Sequence, residues 1–141
     1  MTLPAVHGST ATTILAVTPF EQDKRLIQTM VKTPRTAVLT ADRLSEAIRL
    51  FRRRKISLVI CERDLPDGDW RDMLSQMSDL LPAARLVVAS RLADERLWAE
   101  VLNLGGYDVL AKPFSAEEVT HVIESALRLP ITQAYAMEAS Q

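Results

Sequence analysis

The chain has 141 residues, enough for one domain with a sizeable core. Hydrophobic residues are 48%, charged residues 25% and the formal net charge is −1, so no global basic field invites nucleic acid or an anionic membrane. The single cysteine, Cys61, excludes a disulfide framework and makes a reducing cytoplasm the expected compartment.

No apolar run approaches the roughly 18 residues of a spanning helix. The opening "MTLPAVHGSTA" lacks a positive stretch leading into an apolar one, so residues 1–11 read as a flexible leader and not a signal peptide. His7 lies in that leader and His121 far downstream, which gives no metal-site spacing. Cys61 sits inside an apolar run and reads as a small core hydrophobe.

In chain order, "TILAVT" (13–18) is a short apolar run, hence a buried strand. Between Glu21 and Lys32, Leu26, Ile27, Met30 and Val31 share one helical face. "TAVLT" (36–40) is strand-like, and Leu44, Ala47, Ile48 and Phe51 mark a second amphipathic helix. "SLVIC" (57–61) is a third strand, followed by a turn at Asp67 and Gly68 and a short helix over 69–77 with Asp69 as N-cap. "ARLVVA" (84–89) is a fourth strand. The fourth helix runs over 93–104, with Leu97, Val101 and Leu104 inward, Trp98 outward and Gly105 as a left-handed cap. "YDVLA" (107–111) is a fifth strand. The last helix opens with a capping box, Ser115 and Glu118, carries the stripe Val119, Val122, Ile123, Ala126 and Leu127, and stops at Pro130.

Five strands alternating with five helices imply an α/β fold with a parallel sheet covered on both faces. In such sheets a site forms at the carboxyl ends of the strands. There the chain places Glu62 and Asp64 after the third strand, Ser90 after the fourth, and Lys112, Pro113 and Phe114 after the fifth.

Three stretches, "LVICERDLPDGDW", "LVVASR" and "GGYDVLAKPF", make the chain resemble the receiver domain of bacterial response regulators. The resemblance covers residues 12–129 and leaves 130–141 as a tail or the start of a linker. It implies a flavodoxin-like, doubly wound (βα)5 sheet of order 2-1-3-4-5. It implies Ser90 as the switch hydroxyl, Lys112 as the phosphate-contacting lysine, and Pro113 as a cis-proline. Pro66 of "LPDG" points four residues upstream, to Glu62, as the phosphoacceptor position.

The chain departs from the family in three places. Position 62 is glutamate, whose extra methylene moves the carboxylate by about 1.5 Å, a misplacement to which nucleophilic attack is sensitive. The metal-binding acidic pair aligns with Thr18 and Pro19, neither a carboxylate. The aromatic of the switch is replaced by Val109, with Tyr107 two residues earlier expected on the same side of the strand. Magnesium prefers carboxylate and phosphate oxygens, so metal-assisted phosphoryl transfer is expected to fail and no cofactor is expected.

Two readings of the remaining groups stand. Glu62 pairs with Lys112 and imitates the phosphorylated arrangement, or the two are relics that neutralise each other. The expected function is a receiver-like module, not an enzyme, acting through protein contacts. The alternative is a phosphoryl-accepting receiver using Glu62 or Asp64 with a divalent metal. An unrelated flavodoxin-like enzyme is disfavoured because the crevice lacks a second catalytic group such as histidine.

The resemblance implies protein partners: a histidine kinase, an output domain or another regulator. The resemblance also implies the face of helix four, strand five and helix five as the surface for partners or a homodimer, with Trp98 and Tyr107 as interface candidates. No membrane or direct nucleic-acid contact is expected. The acids of "ERDLPDGDW" do not make an EF-hand, because Asp67 and Met73 stand where glycine and glutamate are needed. Asp64 with Glu21 is left as a weak metal pair. The basic run "RLFRRRK" (49–55) reads as a solvated helix end, and no phosphate-binding glycine pattern is present.

Overall fold

The structure, a computed structural model, describes residues 12–31 and 35–128. The leader, Lys32, Pro130 and the tail lie outside these residues.

Ten principal elements alternate: β1 (Thr12–Val17), α1 (Glu21–Met30), β2 (Thr36–Ala41), α2 (Leu44–Phe51), β3 (Leu58–Glu62), α3 (Trp70–Leu80), β4 (Arg85–Ser90), α4 (Glu95–Leu104), β5 (Asp108–Ala111) and α5 (Ala116–Leu127). A small antiparallel hairpin, Asp64–Leu65 with Gly68–Asp69, sits between β3 and α3. The five strands form one parallel sheet in the order β2-β1-β3-β4-β5, the doubly wound flavodoxin-like topology.

Side chains alternate across each strand, so the apolar runs feed two cores. Leu15, Val17, Val59, Cys61, Leu86 and Val88 pack against α2, α3 and α4. Ile14, Ala16, Leu58, Ile60, Val87 and Leu110 pack against α1 and α5. Trp70 and Met73 fill the first core completely buried, and Cys61 lies there as a small hydrophobe. Burial raises the Cys61 thiol far above its ordinary value, which makes it a poor nucleophile.

Local chemistry sets the ends of the helices. Asp69 accepts from Arg71 N–H and Asp72 N–H while Asp72 reaches back to Asp69 N–H, a complete capping box. Ser115 accepts from Glu118 N–H, the forward half of the expected box. Gly105 closes α4 at φ 107, the left-handed region that glycine enters without strain.

Two expectations fail here. Leu104 is 53% exposed, because α4 rotates past the core after Val101. Tyr107 precedes β5, so the period-two count does not run through it. Its ring packs with the α1/α5 core under Arg85, and its hydroxyl bonds Ser125 Oγ at 2.7 Å, whereas Val109 faces the other core.

Candidate functional site

The crevice is built where the ends of β1, β3, β4 and β5 come together. Parallel pairing sets Glu62 beside Ala89 and Ser90 beside Ala111, which brings the last residues of three strands to one level. Lys112 follows at once, and its backbone N–H donates to Ser90 O at 3.1 Å. The Lys112–Pro113 peptide is cis.

Lys112 Nζ donates to Glu62 Oε1 at 2.7 Å and to Asp23 Oδ2 at 2.7 Å. The three side chains are 7%, 12% and 15% exposed respectively, so the cluster is largely withdrawn from water. The ammonium also lies 4.6 Å from the centre of the Phe20 ring, a cation–π contact. Asp23 stands in the first turn of α1, where the helix dipole favours an acid.

Burial raises the Glu62 carboxyl above its ordinary range; Lys112 opposes the shift without cancelling it, and the Asp23 charge adds to it. For Lys112, burial disfavours the charge, but the bonds to Asp23 and Glu62 outweigh it and the net shift is upward. Two carboxylates thus share one ammonium.

Asp23 was not among the residues singled out by sequence. The signal for it was helical: Asp23, Ile27 and Met30 share a face, and Ile27 is buried in the core. An acid on that face, near the start of α1, is directed at the strand ends.

The other expected site residues separate. Ser90 is buried, yet its hydroxyl accepts from Leu92 N–H at 3.0 Å in its own loop. Thr18 is buried and accepts from Phe20 N–H at 3.1 Å, shaping the turn through Pro19 into α1. Asp64 is exposed beside Arg63, and Glu21 is turned to Lys24, so this pair does not meet. Lys24 itself is held by Asp42 at the end of β2. Asp67 does more than shape a turn. Its carboxylate accepts from Leu44 N–H at 2.7 Å and Ser45 N–H at 3.0 Å, capping α2 from the hairpin. These bonds lower its pKa although partial burial opposes them.

This donor set does not suit a magnesium ion. Glu62 and Asp23 both face an ammonium, and Thr18 is the hydroxyl of a turn. Among the described residues no three His, Cys, Asp or Glu side chains are grouped to hold a metal. A cleft of about 380 Å³ between α1 and the segment after β5 opens onto the cluster itself: Asp23 and Lys112 line it with Gln22, Leu26, Arg91 and Phe114. On the far side of β5, Trp98 is 50% exposed and lines a cleft of about 230 Å³ with Val109, Ala111, Glu95 and Glu118. Among the described residues no helix is long and apolar enough to cross a membrane.

Comparison with known proteins agrees with this geometry. The family model of the response regulator receiver domain matches residues 3–124. The chemotaxis protein CheY of Listeria monocytogenes is 23% identical over 111 residues, covering 75% of this chain and 93% of that protein. The crystal structure of the signal receiver domain of an HD domain-containing protein from Pseudomonas fluorescens superposes with a TM-score of 0.74 at 25% identity, covering 82% of this chain and 94% of that one. The beryllofluoride-activated NtrC4 receiver domain dimer superposes with a TM-score of 0.74 at 21% identity, covering 81% and 94%. The strand order and the matched model lead to one conclusion: the chain belongs to the response regulator receiver domain family, the signalling modules of two-component systems.

Proposed function

We propose that this receiver domain works as a pseudo-receiver, held in one state by the Glu62–Lys112–Asp23 cluster and acting through protein contacts without the usual phosphoryl transfer. The observation that carries the reading is the pair of hydrogen bonds that Lys112 Nζ donates, one to each carboxylate, both at 2.7 Å. In a phosphorylated receiver the lysine binds the incoming phosphoryl oxygens; here two carboxylates already occupy two of its three donors. Glu62 stands at the acceptor position with its oxygen directed at the ammonium, where an attacking carboxylate would need a metal and an open approach. The turn at Thr18 and Pro19 supplies no carboxylate for that metal, and the Thr18 hydroxyl is engaged by Phe20 N–H.

The surface for protein contact is the face of α4, β5 and α5. Trp98 is a large, half-exposed aromatic in a cleft that pairs an apolar floor of Ala93, Val109 and Ala111 with the acids Asp94, Glu95 and Glu118, the kind of anchor that dominates interfaces. Val109 at the switch position has no ring to swing, which favours a fixed surface over a gated one. The NtrC4 receiver, a dimer when activated, supports a second copy as one candidate partner for this face.

The test is incubation with magnesium and either acetyl phosphate or beryllofluoride. The expected result is no mass gain and no change in tryptophan emission. Stoichiometric phosphorylation at Glu62 or Asp64 would overturn the reading in favour of an active receiver with a divalent metal.

A further inference from the structure

The corner formed by the end of α2 carries more charge than a helix end needs. Arg49, Arg52, Arg53, Arg54 and Lys55 are all exposed. Among the described residues none of the five makes an ion pair. Glu46, one turn before Arg49, is bonded to Asp42 N–H. The chain as a whole has a formal net charge of −1, so this corner is a local reversal of sign. Its geometry is ordered: Arg53 N–H and Arg54 N–H both donate to Leu50 O, at 3.0 and 2.9 Å, which folds the segment back and spreads its side chains outward.

A groove of about 240 Å³ lies against this corner, lined by Thr40, Glu46, Arg49, Leu50 and Arg53. Thr40 belongs to β2, an edge strand with one strand neighbour among the described residues. Arg49, in the last turn of α2, and Arg53, in the turn that follows, both line this groove. An extended segment laid along the edge would put an apolar side chain over Leu50 and acids against the two arginines.

We propose that this groove binds an extended acidic segment of a protein partner, with Arg49 and Arg53 as the central contacts and Arg52, Arg54 and Lys55 as its rim. The site shares no residue with the Lys112 cluster: the groove is lined by β2 and α2, whereas the cluster joins β3, α1 and the residue after β5. Nucleic acid fits less well. The cations span about 3 Å of helix plus a short turn, enough for a few phosphates, and they carry no aromatic for a base. Unpaired guanidinium groups match carboxylates bidentately.

The probe is a labelled ten-residue peptide with four glutamates around a central leucine, measured by fluorescence anisotropy. Single-stranded DNA of equal charge and phosphatidylserine vesicles serve as competitors. Binding that weakens about tenfold in the Arg49→Glu/Arg53→Glu variant and falls with added salt is expected. Arg52→Gln should weaken binding less, and circular dichroism should report an unchanged fold in both variants. Absence of peptide binding, indifference to the double reversal, or tighter binding of DNA or vesicles than of the peptide would each overturn the proposal.

Discussion

Glu62 and Asp23 share a single ammonium: each accepts from Lys112 Nζ at 2.7 Å, from opposite ends of the chain's first half. The arrangement is a net negative cluster, largely out of water, whose one cation sets its stability. Removing a partner from a buried ion cluster costs more than the cluster itself contributes, because uncompensated charge is left behind.

Lys112→Met keeps the length of the side chain and removes the charge. It is expected to destabilise the domain by about 3 kcal/mol at neutral pH. Glu62, already raised by burial, loses the cation that opposes the shift and is pushed further upward, so the folded state takes up a proton that the unfolded chain does not. Stability of the variant should therefore recover as pH falls toward the carboxyl range, which denaturant titration at several pH values will read. A loss that persists unchanged in acid would contradict the cluster as described.

Glu62→Gln should behave oppositely. The amide still accepts from Lys112, and the Asp23–Lys112 pair remains. Because burial raises the Glu62 pKa, folding is linked to proton uptake just above its ordinary value of 4.5. In that window wild-type stability relative to the variant falls as pH rises and Glu62 ionises. At neutral pH the variant is expected to match or exceed the wild type by up to about 1 kcal/mol. For Lys112, raised above its ordinary value of 10.5, the stabilisation is complete below that value and is lost only as pH climbs through the raised one.

Asp67→Ala removes the cap on α2. Two orphan N–H groups, Leu44 and Ser45, lose their acceptor. The expected cost is about 1 kcal/mol. The sign with pH follows from the lowered pKa: the cap is present above the ordinary aspartate range and is lost as pH falls through the depressed value. Asp67→Asn should retain most of the stability while losing this acid dependence, as thermal melts can show.

Trp98→Phe leaves Trp70 as the sole tryptophan. Trp70 is completely buried, so the variant's emission should shift to the blue and resist acrylamide quenching. Stability should change by less than about 0.5 kcal/mol. If the α4–β5–α5 face carries the partner, the same variant should also weaken that complex.

The fold was legible because its determinants are local and periodic. Apolar runs without alternation require burial on both faces, and the caps at Asp69 and Gly105 act within a few residues of themselves. The misses are long-range. Asp67 caps a helix that precedes it by a whole strand and loop, and nothing in its neighbours encodes that. The Glu62–Lys112 contact could be anticipated from strand ends, but Asp23 required knowing the rotation of α1. Ser90 was placed at the right strand end, yet its hydroxyl direction depends on the loop at Leu92. Tyr107 was misassigned because β5 begins one residue later than its apolar pattern.

The start of the segment after β5, the turn from Phe20 to Asp23 and the end of β3 are drawn to one nitrogen atom, Lys112 Nζ. Segments tied at one point open together. Amide hydrogens of the turn before α1, of Arg63 and of the residues after Lys112 should then exchange with solvent in a single cooperative step of common free energy, not as three independently fraying loops. A shared step of that kind makes the rim of the crevice one foldon, and Lys112→Met should split it into separate ones.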